Sequence, residues 1–159
     1  MAKRIHEEIR QSRPFQNPAQ EAAIGLMRTA DLVRRCVGDI VEPYDITVQK
    51  YNVLRILRGA GENGLPTLDI AERMIEEAPG ITRLIDRLET KRLVERERCT
   101  EDRRRVWCRI TGEGLALLKK LDAPIRDADH ALGALSANDL KQLITLLDRA
   151  RSSFNRRNQ

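Results

Sequence analysis

Between residues 81 and 110 the apolar pattern changes period, and few folds accommodate such a change. In ITRLIDRLETKRL, Ile81, Leu84, Ile85 and Leu88 recur at i, i+3, i+4 and i+7, one apolar stripe at helical spacing. Directly after it, VERERC and RRVWCRI alternate with period two around a polar turn, the pattern of a β-hairpin. Its inner side would carry Val94, Val106, Cys108 and Ile110, with Glu97 facing Arg105 across the strands. A one-faced helix running straight into a hairpin must bury both against a shared core, and the rest of the chain has to supply it. With 41% hydrophobic, 33% charged and only 3% aromatic residues, that core is expected from Leu, Ile and Ala on helices. A β-sandwich would draw on aromatic and β-branched residues instead.

Capping signals place the remaining helices. Asn17-Pro18-Ala19-Gln20 combines an N-cap, a proline at the first helical position and a capping-box glutamine, and predicts a helix through Leu26, Ala30, Val33 and Val37 to about Val41, before Pro43. Thr47 starts a second helix, with Ile46 and Tyr51 as its hydrophobic staple, that ends in the GAGENG turn. Thr67 is expected to cap a short third helix carrying Leu68, Ala71 and Met74. After the hairpin, Thr111 caps a helix through Leu115, Leu118 and Leu121, in which Pro124 predicts a kink or break. The last helix has Ser136 as N-cap, Asp139 at its third position, a Leu135–Leu140 staple and a stripe of Leu140, Leu143, Ile144 and Leu147. The first sixteen residues are polar and read as an arm. No repeat or flexible linker divides the chain, so all 159 residues are expected to form one domain.

The charge narrows the class of partner. The net charge is +5, and it is uneven. Residues 59–78 hold Glu62, Asp69, Glu72, Glu76 and Glu77 against Arg73, a balance of −4, whereas residues 79–110 hold ten Lys or Arg against six acids, a balance of +4. An anionic partner meeting the surface that begins at Pro79 is the expectation. Stretches long and apolar enough for a membrane span are absent, MAKRIHEEIR lacks the apolar segment of a signal peptide, and three widely spaced cysteines suit a reducing compartment, so a cytoplasmic location is expected. His6 and His130 are far apart, and there is no CxxC, HExxH or Gly-rich phosphate loop. No metal, cofactor or enzymatic role is expected.

Three helices followed by a hairpin is the order of a winged helix-turn-helix, in which the third helix enters the DNA major groove with its N-terminal residues near the base edges. Residues 80–91 would be that helix. Thr82 can donate or accept a hydrogen bond, Arg83 suits guanine or phosphate, Asp86 can accept from cytosine or hold an arginine in place, and Arg87 shares the polar face. Arg103 and Arg104 fall at the hairpin tip, where a narrow minor groove attracts inserted arginine, and Asp102 can hold Arg104 extended. Trp107 reads as a packing residue laid along the arginine stems.

Two stretches carry a family resemblance. Asp102-Arg103-Arg104, then five residues, then Ile110-Thr111 and Gly114, together with ITRLIDRLETKRLVERE at 81–97, make residues 47–118 resemble the MarR family of bacterial transcriptional regulators. The resemblance implies a mainly α fold with a small β-hairpin wing, a winged helix-turn-helix at 47–112 and long dimerisation helices at 17–42 and 115–155. It implies a homodimer on a pseudo-palindromic double-stranded DNA operator, acting as a repressor. It also implies a small-molecule effector pocket between the DNA-binding part and the dimer helices, in the region of Arg34, Arg35 and Tyr51, whose ligand the sequence does not identify. Some family members sense oxidants through an N-terminal thiol. Cys36 is the candidate here, but its flanks do not mark it, and it is expected to be buried and inert.

Cys99 and Cys108 are not expected to pair. If Val94 faces Cys108, Cys99 lies on the order of 16 Å away, against the roughly 7 Å limit for bridged Cα atoms. The sequence departs from the family at Arg92, where a glycine commonly ends the recognition helix, so either Arg92 bears a left-handed backbone at a cost of roughly 1 kcal/mol or the helix ends differently. The alternative reading of the chain, a basic helical protein–protein interaction module without specific DNA binding, explains the charge but not the Asp-Arg-Arg spacing.

Overall fold

In the computed structural model, which describes residues 3–98, 106–129 and 133–155, the chain divides into two compact units, Met1–Leu121 and Asp122–Gln159. The first begins with a single helical turn, α1 (Ile5–Glu8), within the arm. Asn17 then caps α2 (Pro18–Val41), its side chain accepting from the Gln20 N–H at 2.9 Å, while the Gln20 side chain reaches back to the Gln16 N–H at 2.8 Å. Both donors would otherwise be orphaned at the helix start. A turn of 3₁₀-helix at Glu42–Tyr44 and a left-handed Asp45 (φ 55°) reverse the chain into α3 (Val48–Ala60), capped by Thr47. α3 forms the centre of the core: Tyr51, Val53, Leu54 and Leu57 are buried, as is Ile46 ahead of it.

The sheet has three strands where the sequence suggested two. β1 (Leu65–Pro66), β2 (Val94–Arg98) and β3 (Val106–Ile110) form an antiparallel sheet in the order β1-β3-β2. β1 is too short to show a period, which is why the sequence hides it. Its approach to β3 depends on Gly64 at φ 66°, where a Cβ would stand 2.4 Å from the Cys108 carbonyl oxygen. The hairpin register also differs from expectation. Val94 faces Ile110, not Cys108; Cys108 faces Arg96, and Glu97 faces Trp107 and pairs with Arg109. The inner side is as expected at Val94 and Cys108, which are buried, but Arg96 shares it. Glu97 therefore does not face Arg105, and the premise of the 99–108 distance argument, Val94 opposite Cys108, does not hold; Cys99 and Arg105 themselves lie outside the described residues.

α4 (Thr67–Glu72) is shorter than predicted and is capped differently. Pro66 occupies the N-cap and Thr67 is the first helical residue, its hydroxyl 3.7 Å from the Cys108 sulfur. Met74 lies past the helix end and Leu68 is 74% exposed, so of α4 only Ile70 is buried. α5 (Ile81–Thr90) buries Ile81, Ile85 and Leu88 of its stripe, while Leu84 is half-buried. Thr111 then starts α6 (Gly112–Asp129), accepting from the Gly114 N–H at 3.1 Å. Leu118 and Leu121 complete the core. α6 is not broken at Pro124 but continues to Asp129.

In the second unit, Ser136 and Asp139 form a full capping box ahead of α7 (Ala137–Asn155): the Ser136 hydroxyl accepts from the Asp139 N–H at 3.2 Å, and the Asp139 carboxylate accepts from the Ser136 N–H at 3.3 Å. No residue of α7 is buried. The free thiols divide sharply. Cys108 is fully buried, and burial pushes its thiol above the usual value. Cys36 is exposed on α2, against the expectation that it would be buried.

Candidate nucleic-acid interface

The surface that begins at Pro79 is built on α5, and its position is fixed from below. Asn52, buried on α3, accepts through its side-chain oxygen from the Ile75 N–H at 3.0 Å, which pins the turn leading from α4 into α5. Gly80 is the N-cap, its carbonyl taking the Leu84 N–H at 3.1 Å. With Ile81, Ile85 and Leu88 facing the core, the 3.6-residue repeat turns Thr82, Arg83 and Arg87 to solvent. Neither arginine forms an ion pair among the described residues, so both guanidiniums are available to an anion.

The far end of α5 answers the question raised by Arg92. The Arg92 N–H donates to the Glu89 carbonyl at 2.8 Å and the Leu93 N–H to the Leu88 carbonyl at 3.0 Å, a Schellman ending. Arg92 takes the left-handed conformation, φ 58°, that glycine would adopt more easily. Surrounding bonds hold it there. The Thr111 hydroxyl donates to the Arg92 carbonyl at 2.6 Å, the Thr111 N–H donates to the Leu93 carbonyl at 3.1 Å, and Leu88 and Leu93 are both buried. Gly114 is the other half of this junction: a Cβ there would lie 2.4 Å from the Leu93 oxygen and 2.7 Å from Ile110 Cγ1. The sequence signature Ile110-Thr111…Gly114 thus marks the weld between α5, the hairpin and α6.

Asp86 is half-exposed and already engaged. Its carboxylate is 2.7 Å from the Arg96 guanidinium, so of its two sequence-level roles the structure has it holding an arginine. Glu89, one turn further, takes the same guanidinium at 2.9 Å from Nε, and Glu89 first and Asp86 second hold Arg96 above its ordinary pKa against the opposing effect of burial. Lys91 pairs with Asp45, and this bond holds the Asp45 carboxyl below its ordinary value. Arg92, just past the end of α5, and Arg98, at the end of β2, are exposed basic residues that the sequence did not suggest as DNA contacts. Their register at the helix end and at the last position of β2 was the available signal. Asp102, Arg103 and Arg104 lie outside the described residues.

A cleft of about 520 Å³ opens where α2 meets α3, lined by Arg34, Arg35, Asp39, Ile46, Thr47 and Gln49 among others. Arg34 and Arg35 both pair with Asp31, which lowers that carboxyl from its ordinary value, Arg35 contributing most. Tyr51 does not line this cleft; it is buried in the core with Arg55 over its ring at 5.9 Å. Among the described residues there is no group of three or more His, Cys, Asp or Glu placed to hold a metal ion, and no helix is long and apolar enough to cross a membrane.

Residues 46–106 match the MarR family model. The crystal structure of a MarR transcription factor from Planctomyces limnophilus is 42% identical, with a TM-score of 0.66, over 85% of this chain and 98% of that one. Among curated relatives, the homoprotocatechuate degradative operon repressor of Escherichia coli is 28% identical over 79% of this chain and 84% of its own length. The S. aureus MepR–DNA complex shares the fold at a TM-score of 0.76 and 23% identity, over 82% of this chain and 96% of that one.

Proposed function

This chain belongs to the MarR family of transcriptional regulators, not enzymes, and from that premise we propose that it is a sequence-specific repressor, binding a pseudo-palindromic double-stranded operator as a homodimer. The observation that carries the reading is the two-sided character of α5. Its apolar stripe is buried, and its opposite face offers Thr82, Arg83 and Arg87 to solvent beside a hairpin wing. A helix presented in this way suits the major groove. Thr82 and Arg83, in the first turn, are assigned to base edges; Arg87, with Arg92 and Arg98, to phosphates. Arg103 and Arg104, oriented by Asp102, are assigned to the minor groove flanking the site. Asp86 acts on DNA only through Arg96.

Exposure supports the dimer. α2 buries only Val41 and leaves Leu26, Met27, Leu32 and Val33 outward, and α7 leaves Ile144, Leu146 and Phe154 outward. Exposed apolar residues on each of these helices support an interface, and within one MarR-like domain we assign 17–42 and 115–155 to dimerisation. The relative named an operon repressor and the neighbour solved on DNA support the direction of regulation and the ligand. The cleft at Arg34 and Arg35 is the place we assign to a small-molecule effector.

Footprinting on the DNA upstream of the protein's own gene tests the whole reading. Protection of two half-sites about one helical turn apart is the expected result. Binding that is uniform along the DNA, or none at all, would favour the alternative of a basic protein–protein interaction module.

A further inference from the structure

The guanidinium of Arg96 is gripped from one side of the recognition helix. Asp86 and Glu89 are three residues apart on α5 and therefore neighbours on its surface. Asp86 Oδ1 is 2.7 Å from Nη1, and Glu89 Oε2 accepts from Nε at 2.9 Å and from Nη2 at 2.5 Å. The rigid planar fork of arginine meets two carboxylates at once, which a lysine cannot do in this geometry. Arg96 stands opposite Cys108 in the sheet, so the grip reaches from α5 to the middle of the wing's first strand. Its side chain is 29% exposed, and the carboxylates 48% and 38%. Partly exposed pairs of this kind contribute little to folding, and the group as a whole carries a net −1, which does not attract phosphate. Neither stability nor charge accounts for it; geometry does.

We propose that Arg96 is a positioning residue, a strut by which Asp86 and Glu89 of the recognition helix fix the angle of the wing, so that helix and wing present their DNA-contacting residues together. The backbone between them is a short Schellman turn through a left-handed Arg92, which sets the direction in which the chain enters β2. Arg96, at the middle of β2, adds a side-chain tie between strand and helix beyond that turn.

This inference rests on the DNA-binding reading, and opposing signs separate the two. The paired substitution Asp86→Asn with Glu89→Gln keeps the side-chain shapes and removes two negative charges next to the proposed interface. Electrostatics alone then demands tighter binding and a steeper salt dependence. The strut demands the opposite: about fivefold weaker binding to the duplex from upstream of the gene, the scale of coupling seen between residues sharing one ion-pair network, with no steepening of the salt slope. Arg96→Met should weaken binding at least as much, and Arg96→Lys, which retains one pair, should recover part of it.

Hydrogen exchange without DNA supplies the second readout. The amides of β2 and β3 should exchange faster in the paired variant, while those of α3 stay as protected as in the unmodified protein. Tighter binding by the paired variant, or unchanged exchange in the wing, overturns the strut. If the unmodified protein binds no duplex, the DNA-binding reading fails, and the exchange result alone decides whether the strut holds the wing.

Discussion

α3 and α7 are both amphipathic helices with clean caps, and they end in opposite circumstances. α3 has 13 residues, six of them buried. α7 has 19, and none is buried. α2 resembles α7, with one buried residue in 24. The winged part of the chain buries most of its own apolar residues, Leu68 and Ile75 excepted, closing α3, α5, the sheet and the start of α6 around Leu54, Leu57, Ile85 and Leu88. The terminal helices carry equally regular stripes, yet present Met27, Ile144 and Phe154 to solvent, each about 60% exposed. Periodicity reports that a face will be buried; it does not report whether the same chain does the burying.

The largest effect should come from removing the region that lacks a partner. Deleting residues 136–159 takes away α7 and should leave insoluble or unfolded protein, because in the proposed dimer α7 would cover an apolar face that is then exposed on every copy. Size-exclusion chromatography and circular dichroism decide it, and a soluble folded monomer would break the comparison. A middle-sized effect is expected inside the self-sufficient part. Gly114→Ala drives a Cβ against the Leu93 carbonyl and Ile110, and should destabilise by about 1–3 kcal/mol in urea titration, the usual cost of overpacking. An unchanged midpoint would show that the junction is loose. The smallest effect has the opposite sign. Arg92→Gly removes a left-handed non-glycine residue and should stabilise by up to about 1 kcal/mol, measured in the same titration. A loss would mean that the Arg92 side chain matters more to the fold than its backbone strain.

The sequence was most informative where the signal is local. The Asn17, Thr47, Thr111 and Ser136 caps act within one turn, and each is found capping. The stripe at 81–88 is equally local. What escaped depends on distant contacts. β1 is two residues long and is recognisable only by its pairing with β3. The hairpin register shifted by two residues, which alternation cannot detect because a shift of two restores the same face. Asp86 has a polar side chain on the expected face, and only the fold shows that Arg96 of the next element claims it. Asn52 reads as one of several polar residues of α3, and its bond to Ile75 spans 23 positions. Pro124 shows the reverse case: a strong local signal for a break, outweighed by a helix that continues on both sides of it.

The central claim is that α5 reads sequence while the wing contributes charge. Equilibrium binding of Arg83→Ala and Arg104→Ala to the upstream duplex and to a random duplex, over a range of salt concentrations, tests it most directly. Arg83→Ala should cost about 1–3 kcal/mol on the upstream site and little on random DNA, as expected for a bidentate contact to guanine. Arg104→Ala should weaken both by similar factors and lower the salt slope by about one unit. If Arg83→Ala binds both duplexes as the unmodified protein does, the exposed face of α5 is a solvated surface and not the reading head of a regulator.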